Sequence, residues 1–162
     1  MCACKLFQPI EDVNDSKKIS EKKRVFLANR ILDCSVVSLT VIPNDLIDKN
    51  GIFGSVMCGM KKVALDIYSD YPGDSILIDG PHIPEDMPFC TEPVIKGDSK
   101  FQAIAAASIV AKVVRDYIMY TYSKIYREYG FEKNKGYGTA EHYRAIKENA
   151  LSKIHRRSFR IC

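Results

Sequence analysis

No apolar run in this chain comes near the length of a membrane span. The longest, residues 103–111, falls far short of the roughly 20 residues that a helix needs to cross a bilayer. The opening Met1-Cys-Ala-Cys-Lys5 lacks a charged segment followed by an apolar one, so export is not expected and a cytoplasmic location is. Zinc-type spacing is absent too. The six cysteines (Cys2, Cys4, Cys34, Cys58, Cys90, Cys162) are scattered, Cys2 and Cys4 are too close for a C-x-x-C site, and three distant histidines complete nothing. Buried or free thiols in a reducing compartment are the reading that remains. Repeats, linkers and low-complexity stretches are missing as well, so the 162 residues read as one domain, large enough to bury a core. With 46% apolar and 27% charged residues, the composition excludes the disordered and fibrous classes.

Acidic residues are scarce toward the C-terminal end. Residues 101–162 hold 12 Lys and Arg against 5 Asp and Glu, whereas residues 1–100 hold 12 against 15. A basic C-terminal third points to a polyanion-facing surface, of which nucleic acid is the commonest kind, or to a solvated charged face.

Strands and helices alternate along the chain. Residues 1–7 suit a strand, Ser20 caps a helix over residues 21–32, and the β-branched stretch 34–42 reads as a second strand ending at Pro43. A helix is expected over residues 53–68, then a short apolar strand over 75–79 and a brief one over 93–96 after a proline-rich loop. Ser99-Lys-Phe-Gln102 has the form of a capping box opening a long helix to about Glu128, stopped at Gly130. Thr139 caps a last helix through Lys147. The alternation argues an α/β class.

Two carboxylates stand out. Asp79 ends an apolar strand, where ligands gather in open α/β sheets. The alternative is an Asp-Gly hairpin turn, which the following Pro81-His-Ile-Pro84 argues against. Asp116 lies inside the long helix beside an apolar stripe, either as a metal-ligating oxygen donor or as a plain i,i+4 partner of Lys112. Gly97-Asp98-Ser99 reads as a turn into the helix cap, with Asp98 a further acidic candidate nearby. The small residues of 103–111 suit close packing of that helix on a sheet. In Lys135-Gly-Tyr-Gly-Thr139 one aromatic ring sits between glycines and beside lysines, a composition suited to phosphate contact and base stacking. His155-Arg-Arg-Ser-Phe-Arg160 is a basic tail, either solvated or phosphate-binding.

Taken together, several motifs in order resemble the ribonuclease HII (type 2 ribonuclease H) family. They are Asn14-Asp-Ser-Lys-Lys-Ile-Ser20, Leu77-Ile-Asp-Gly80, Lys96-Gly-Asp-Ser-Lys100 and Ala105-Ala-Ala-Ser-Ile-Val-Ala-Lys112. Arg115-Asp116, Lys135-Gly-Tyr-Gly-Thr139 with His142, and His155-Arg-Arg-Ser-Phe159 complete the set. The resemblance implies a ribonuclease H-like mixed sheet flanked by helices, with a core to about residue 130 and a C-terminal helical, substrate-binding part over 131–162. It implies an endonuclease cutting RNA in RNA–DNA hybrids and ribonucleotides embedded in DNA, by two-metal hydrolysis with Mg²⁺ or Mn²⁺, acting as a monomer. Asp79 and Asp116 would be its metal ligands, and Tyr137, Lys135, Lys17, Lys18 and Arg156 its substrate contacts. The family's first strand, carrying D-E-x-G-R-G, has no counterpart in these residues; residues 1–7 resemble its second strand. The expectation is therefore unpaired backbone on both neighbours of that strand and two carboxylates where the family has four. A non-catalytic nucleic-acid-binding remnant is the alternative reading.

Overall fold

The computed structural model describes residues 1–13, 19–72 and 74–159. Lys17 and Lys18 lie outside the described residues. The elements follow the order β1 (Cys2–Leu6), α1 (Glu21–Cys34), β2 (Ser35–Leu39), α2 (Asn44–Asp70), β3 (Ile76–Asp79), β4 (Thr91–Val94), α3 (Gln102–Ile125), α4 (Phe131–Asn134) and α5 (Ala140–Asn149). The class is α/β, as expected. Antiparallel and parallel pairings both occur: β1 pairs with β2 antiparallel, β3 pairs with β4 parallel, and no described strand joins the two pairs. The parallel β3–β4 pairing also removes the hairpin reading of Asp79-Gly80, because Gly80 N–H donates onward to Val94 O at 2.9 Å.

The main core forms where α1 and α3 meet the inner face of β1. Leu27 and Ile31 of α1 are 1% and 0% exposed, and Ala105, Ala106 and Ile109 of α3 complete the layer with Ile10. Cys2, Cys4 and Leu6 face this core in the alternation expected of a strand. Burial, with Cys4 alongside, pushes the Cys2 thiol up to about 12, which favours the neutral thiol packing as a small apolar group.

Three local readings need correction. Helix α2 begins at Asn44, well before residue 53, and bends at Gly51, whose φ of 72° only glycine adopts without strain. Ser99-Lys-Phe-Gln102 is not a capping box. Ser99 lies in a 3₁₀ turn and its hydroxyl donates to Lys96 O, while Phe101 stands at the helix N-cap. The Gln102 side chain works elsewhere: its Nε2 donates to Ile10 O at 2.7 Å and its Oε1 accepts from Ile10 N at 2.9 Å. A tertiary partner won over the local cap because it satisfies both backbone groups of a buried loop residue. Helix α3 also stops earlier than expected, at Ile125, with a 3₁₀ turn carrying the chain to Gly130. The caps at Ser20 and Thr139 form as expected, accepting from Lys23 N and His142 N.

A second core holds the C-terminal part together. Tyr129, Phe131, His142 and His155 form one ring cluster, with the two imidazoles stacked at 5.3 Å and 18°. The tail beyond it is tied to the start of α2. Asn44 Nδ2 donates to the carbonyls of Lys153 and His155, and Asp48 accepts from Arg157 N, Ser158 N and the Ser158 hydroxyl. These donors hold the Asp48 carboxyl below its ordinary range.

His155 makes this cluster sensitive to acid. Ser152 N–H donates to its Nδ1 at 3.0 Å, so the ring proton sits on Nε2, a buried atom without a hydrogen-bond partner among the described residues. Burial, and then the neighbouring His142, hold the imidazole below the usual histidine value. A depressed histidine means that the unfolded chain takes up the proton first. Stability is therefore whole above roughly pH 6.5 and declines as pH falls from there toward the lowered folded value. The melting temperature of the chain is expected to drop between neutral and mildly acidic buffer, and to drop less in His155→Phe. Equal slopes in the two proteins would clear His155 of the effect.

Candidate functional site

The long helix α3 carries the densest group of charges. Lys112, Arg115 and Asp116 fall on one face because residues three and four apart are neighbours on a helix. Asp116 is 8% exposed, and its Oδ1 accepts from Lys112 Nζ at 2.6 Å with Arg115 Nη1 at 3.7 Å. From α1, Arg24 brings Nη1 to 3.9 Å of the other carboxylate oxygen. The i,i+4 pairing with Lys112 is thus formed, and two further cations join it.

The glycine loop docks on the same face. Arg115 Nη2 donates to Lys135 O at 2.9 Å, and Asn134 Oδ1 accepts from Gly136 N at 2.7 Å while its Nδ2 donates to Tyr129 O. This framing holds Tyr137 as a 54% exposed residue with two cations over its ring, Arg115 at 4.6 Å and Lys112 at 5.2 Å. Lys135 Nζ reaches Glu21 of α1 at 3.9 Å. One surface therefore gathers Lys112, Arg115, Lys135 and Tyr137 around Asp116. Arg156 stands apart on the tail, its guanidinium over the Phe159 ring at 4.7 Å.

Asp79 is positioned separately, at the carboxyl end of β3. Its Oδ1 accepts from Gly97 N at 2.9 Å. The approach is close: a Cβ at residue 97 would stand 2.5 Å from Ile104 Cδ1 and 3.2 Å from that same carboxylate oxygen, so any side chain there would push on both. Asp98, half-buried in the 3₁₀ turn between β4 and α3, follows directly. Asp79 lines a cavity that also reaches Ala111 of α3, and Asp116 lies five residues further on, about 7.5 Å along the helix axis.

A pair of divalent cations needs several converging carboxylates. Among the described residues, no three His, Cys, Asp or Glu side chains converge, and Asp116 already faces three cations. These residues do not by themselves fit a two-metal centre. Sequence reasoning placed Gly97 in a turn but missed its hydrogen bond to Asp79, and it missed Arg24. The i,i+3,i+4 spacing of Lys112, Arg115 and Asp116 was a usable signal for that trio. Nothing local announced Arg24, which arrives through the packing of α1 on α3.

The comparisons agree with one another. The model of the family described as Ribonuclease HII matches residues 6–162. The chain is 46% identical over 151 residues to "Ribonuclease HII" of Clostridioides difficile (strain 630), covering 93% of this chain and 58% of that protein. Against its namesake from Ligilactobacillus salivarius (strain UCC118) it is 44% identical over 149 residues, covering 91% and 57%. It thus spans less than two thirds of the length of these relatives, though 82% of the Borrelia hermsii (strain HS1 / DAH) ribonuclease HII, to which it is 41% identical over 153 residues, or 93% of this chain. Two solved structures share the fold. One is the ribonuclease H2 of Pyrococcus horikoshii OT3, with TM-score 0.72 and 19% identity over 93% of this chain and 78% of the other. The second is the PCNA:RNase HII complex from Archaeoglobus fulgidus, with TM-score 0.70 and 20% identity over 91% and 78%. With its motifs in order and its fold and sequence matched over most of its length, this chain belongs to the ribonuclease HII family.

Proposed function

We propose that this chain carries the substrate-gripping surface and two carboxylates of an endoribonuclease acting on RNA–DNA hybrids and on ribonucleotides embedded in DNA. The observation that carries the reading is the convergence of Lys112, Arg115, Lys135 and the exposed Tyr137 ring on one face. The cations suit phosphate oxygens, and an exposed ring suits stacking against a sugar or base. Arg156 extends the basic character along the tail. Asp79 and Asp116 are the residues proposed to take part in hydrolysis, and Mg²⁺ or Mn²⁺ the cofactors that the family resemblance implies. No step through a metal follows from two carboxylates of which one is ion-paired to three cations.

The second reading, a nucleic-acid-binding chain with little turnover, is favoured by that same ion pairing. The test is the purified 162-residue chain on a duplex with one embedded ribonucleotide, beside an all-DNA control, with Mn²⁺ and increasing salt. Expected are binding that falls steeply with salt, little preference between sugars, and slow cleavage or none. Rapid cutting at the ribonucleotide would reject the second reading. Failure to bind either duplex at low salt would reject both.

Tyr137→Ala isolates the stacking part. Loss of the ring is expected to weaken hybrid affinity by about 1–3 kcal/mol while leaving the slope of affinity against salt unchanged. A changed slope with unchanged low-salt affinity would assign the loop to phosphate contact alone.

A further inference from the structure

Both backbone groups of Tyr137 are taken up inside its own loop. Its N–H donates to Asn134 O at 2.9 Å, and its carbonyl accepts from Thr139 N at 2.8 Å. What the loop presents outward is therefore the side chain. To present it, the chain runs through two left-handed residues in succession, Lys135 at φ 51° and Gly136 at φ 76°. That region suits glycine but is unfavourable for lysine, so the turn needs a partner that holds it.

Asn134 supplies the hold. It is 8% exposed, and its amide meets two partners of opposite kind: Oδ1 accepts from Gly136 N at 2.7 Å, and Nδ2 donates to Tyr129 O at 2.7 Å. The first bond closes an Asx turn over Lys135, and the second ties that turn to the C-terminal ring cluster. An amide is the one uncharged side chain of this reach that carries both a donor and an acceptor. The seat beneath the turn is close-fitting as well. A Cβ at Gly136 would stand 3.1 Å from Met119 Cε, and one at Gly138 would stand 2.8 Å from Tyr143 Cζ.

We propose that Asn134 is a positioning residue, which by locking the Lys135–Gly136 turn fixes the direction in which Tyr137 meets the sugar or base of the substrate. The proposal rests on the stacking role argued for Tyr137 above. Asn134 carries no charge and bonds only to backbone here, so its effect on nucleic acid passes through the loop. Arg115 differs: it fastens Lys135 O and lies over the Tyr137 ring, but its charge also attracts phosphate. A ring already held in its binding direction need not be ordered when substrate arrives, and this preorganisation is what Asn134 contributes.

The test is a double-mutant cycle on the full 162-residue chain, titrated with a duplex carrying one embedded ribonucleotide in EDTA, so that binding is read without cleavage. Melting curves establish that each variant is folded at the titration temperature. Asn134→Ala is expected to fold, because Tyr129 O keeps His142 Nδ1 at 3.4 Å and Gly136 is exposed, within reach of water. Expected is a loss of affinity of roughly 2- to 12-fold, the cost of immobilising one side chain, with the slope against salt unchanged. In a Tyr137→Ala background the same substitution is expected to cost nothing further. Asn134→Ser keeps a shorter uncharged acceptor for Gly136 N and is expected to recover part of the loss; it replaces Asn134→Ala in the cycle if that variant does not fold. Equal losses in the two backgrounds would overturn the proposal and leave Asn134 a purely structural residue. A changed salt slope in Asn134→Ala would also overturn it, the loop then acting through the Lys135 charge. No loss in Tyr137→Ala itself would instead overturn the stacking reading, and the proposal with it.

Discussion

Asp116→Asn is expected to lower the stability of the chain by about 2–3 kcal/mol and, at the same time, to raise its affinity for nucleic acid. The two effects have one origin. Asp116 is 8% exposed and sits among Lys112, Arg115 and Arg24, the last with a side chain only 12% exposed. An amide in its place can still accept from Lys112, but the carboxylate charge that faces Lys112, Arg115 and Arg24 is lost. Removing one partner of a buried ion pair costs about 3–5 kcal/mol, and the partial exposure of Lys112 and Arg115 reduces that. The cations released from the carboxylate become available to phosphate, so binding at low salt should strengthen and its salt slope steepen. Guanidinium unfolding and hybrid titration on the same preparations measure both. Adding Lys112→Met to Asp116→Asn should recover part of the lost stability, because one of the charges that faced the carboxylate goes. Unchanged stability in Asp116→Asn would mean that the three cations are solvated well enough not to need it.

Much of this site was legible from short motifs, and its limits have physical causes. Helix caps at Ser20 and Thr139 formed where the sequence placed them, because capping is settled within four residues by a hydroxyl and a nearby N–H. Ser99 and Gln102 failed as a capping box since Gln102 had a better partner 92 positions away, in Ile10, which no local pattern encodes. The Lys112–Asp116 pair was visible from spacing, yet the third cation, Arg24, depended on how α1 crosses α3. The first turns of α2 went unread because Asn44 to Asn50 is polar and ends at a glycine that bends the helix. Its value appears only in three dimensions, where Asn44 and Asp48 hold the C-terminal tail by its backbone. The gap between β1 and β3 followed from the family resemblance, which placed a strand between two neighbours that here remain unpaired with each other.

The C-terminal ring cluster is where a single truncation should do most harm. Phe131 is 1% exposed and stacks on Tyr129 at 5.4 Å, with His142 and His155 within 5.7 Å. Phe131→Ala is expected to cost about 3–5 kcal/mol, the transfer of the ring plus the cavity it leaves. A domain's whole stability is about 5–15 kcal/mol, so the variant should be marginal at moderate temperature. The loss should also be uneven. The main core around Ile31 and Ile109 shares no buried residue with this cluster, so α1 and α3 keep their own packing. What the ring supports is the tail, through His155, and the glycine loop, because Lys135 N donates to Phe131 O at 3.1 Å. Amide exchange should therefore accelerate first over residues 131–159, while Leu27 and Ile109 remain protected until global unfolding. Hybrid affinity should fall with it, since Tyr137 and Arg156 are carried by the loop and the tail that have come loose. Uniform acceleration along the chain would instead mean that the two cores unfold as one unit, and that the grip on substrate cannot be loosened without melting α3.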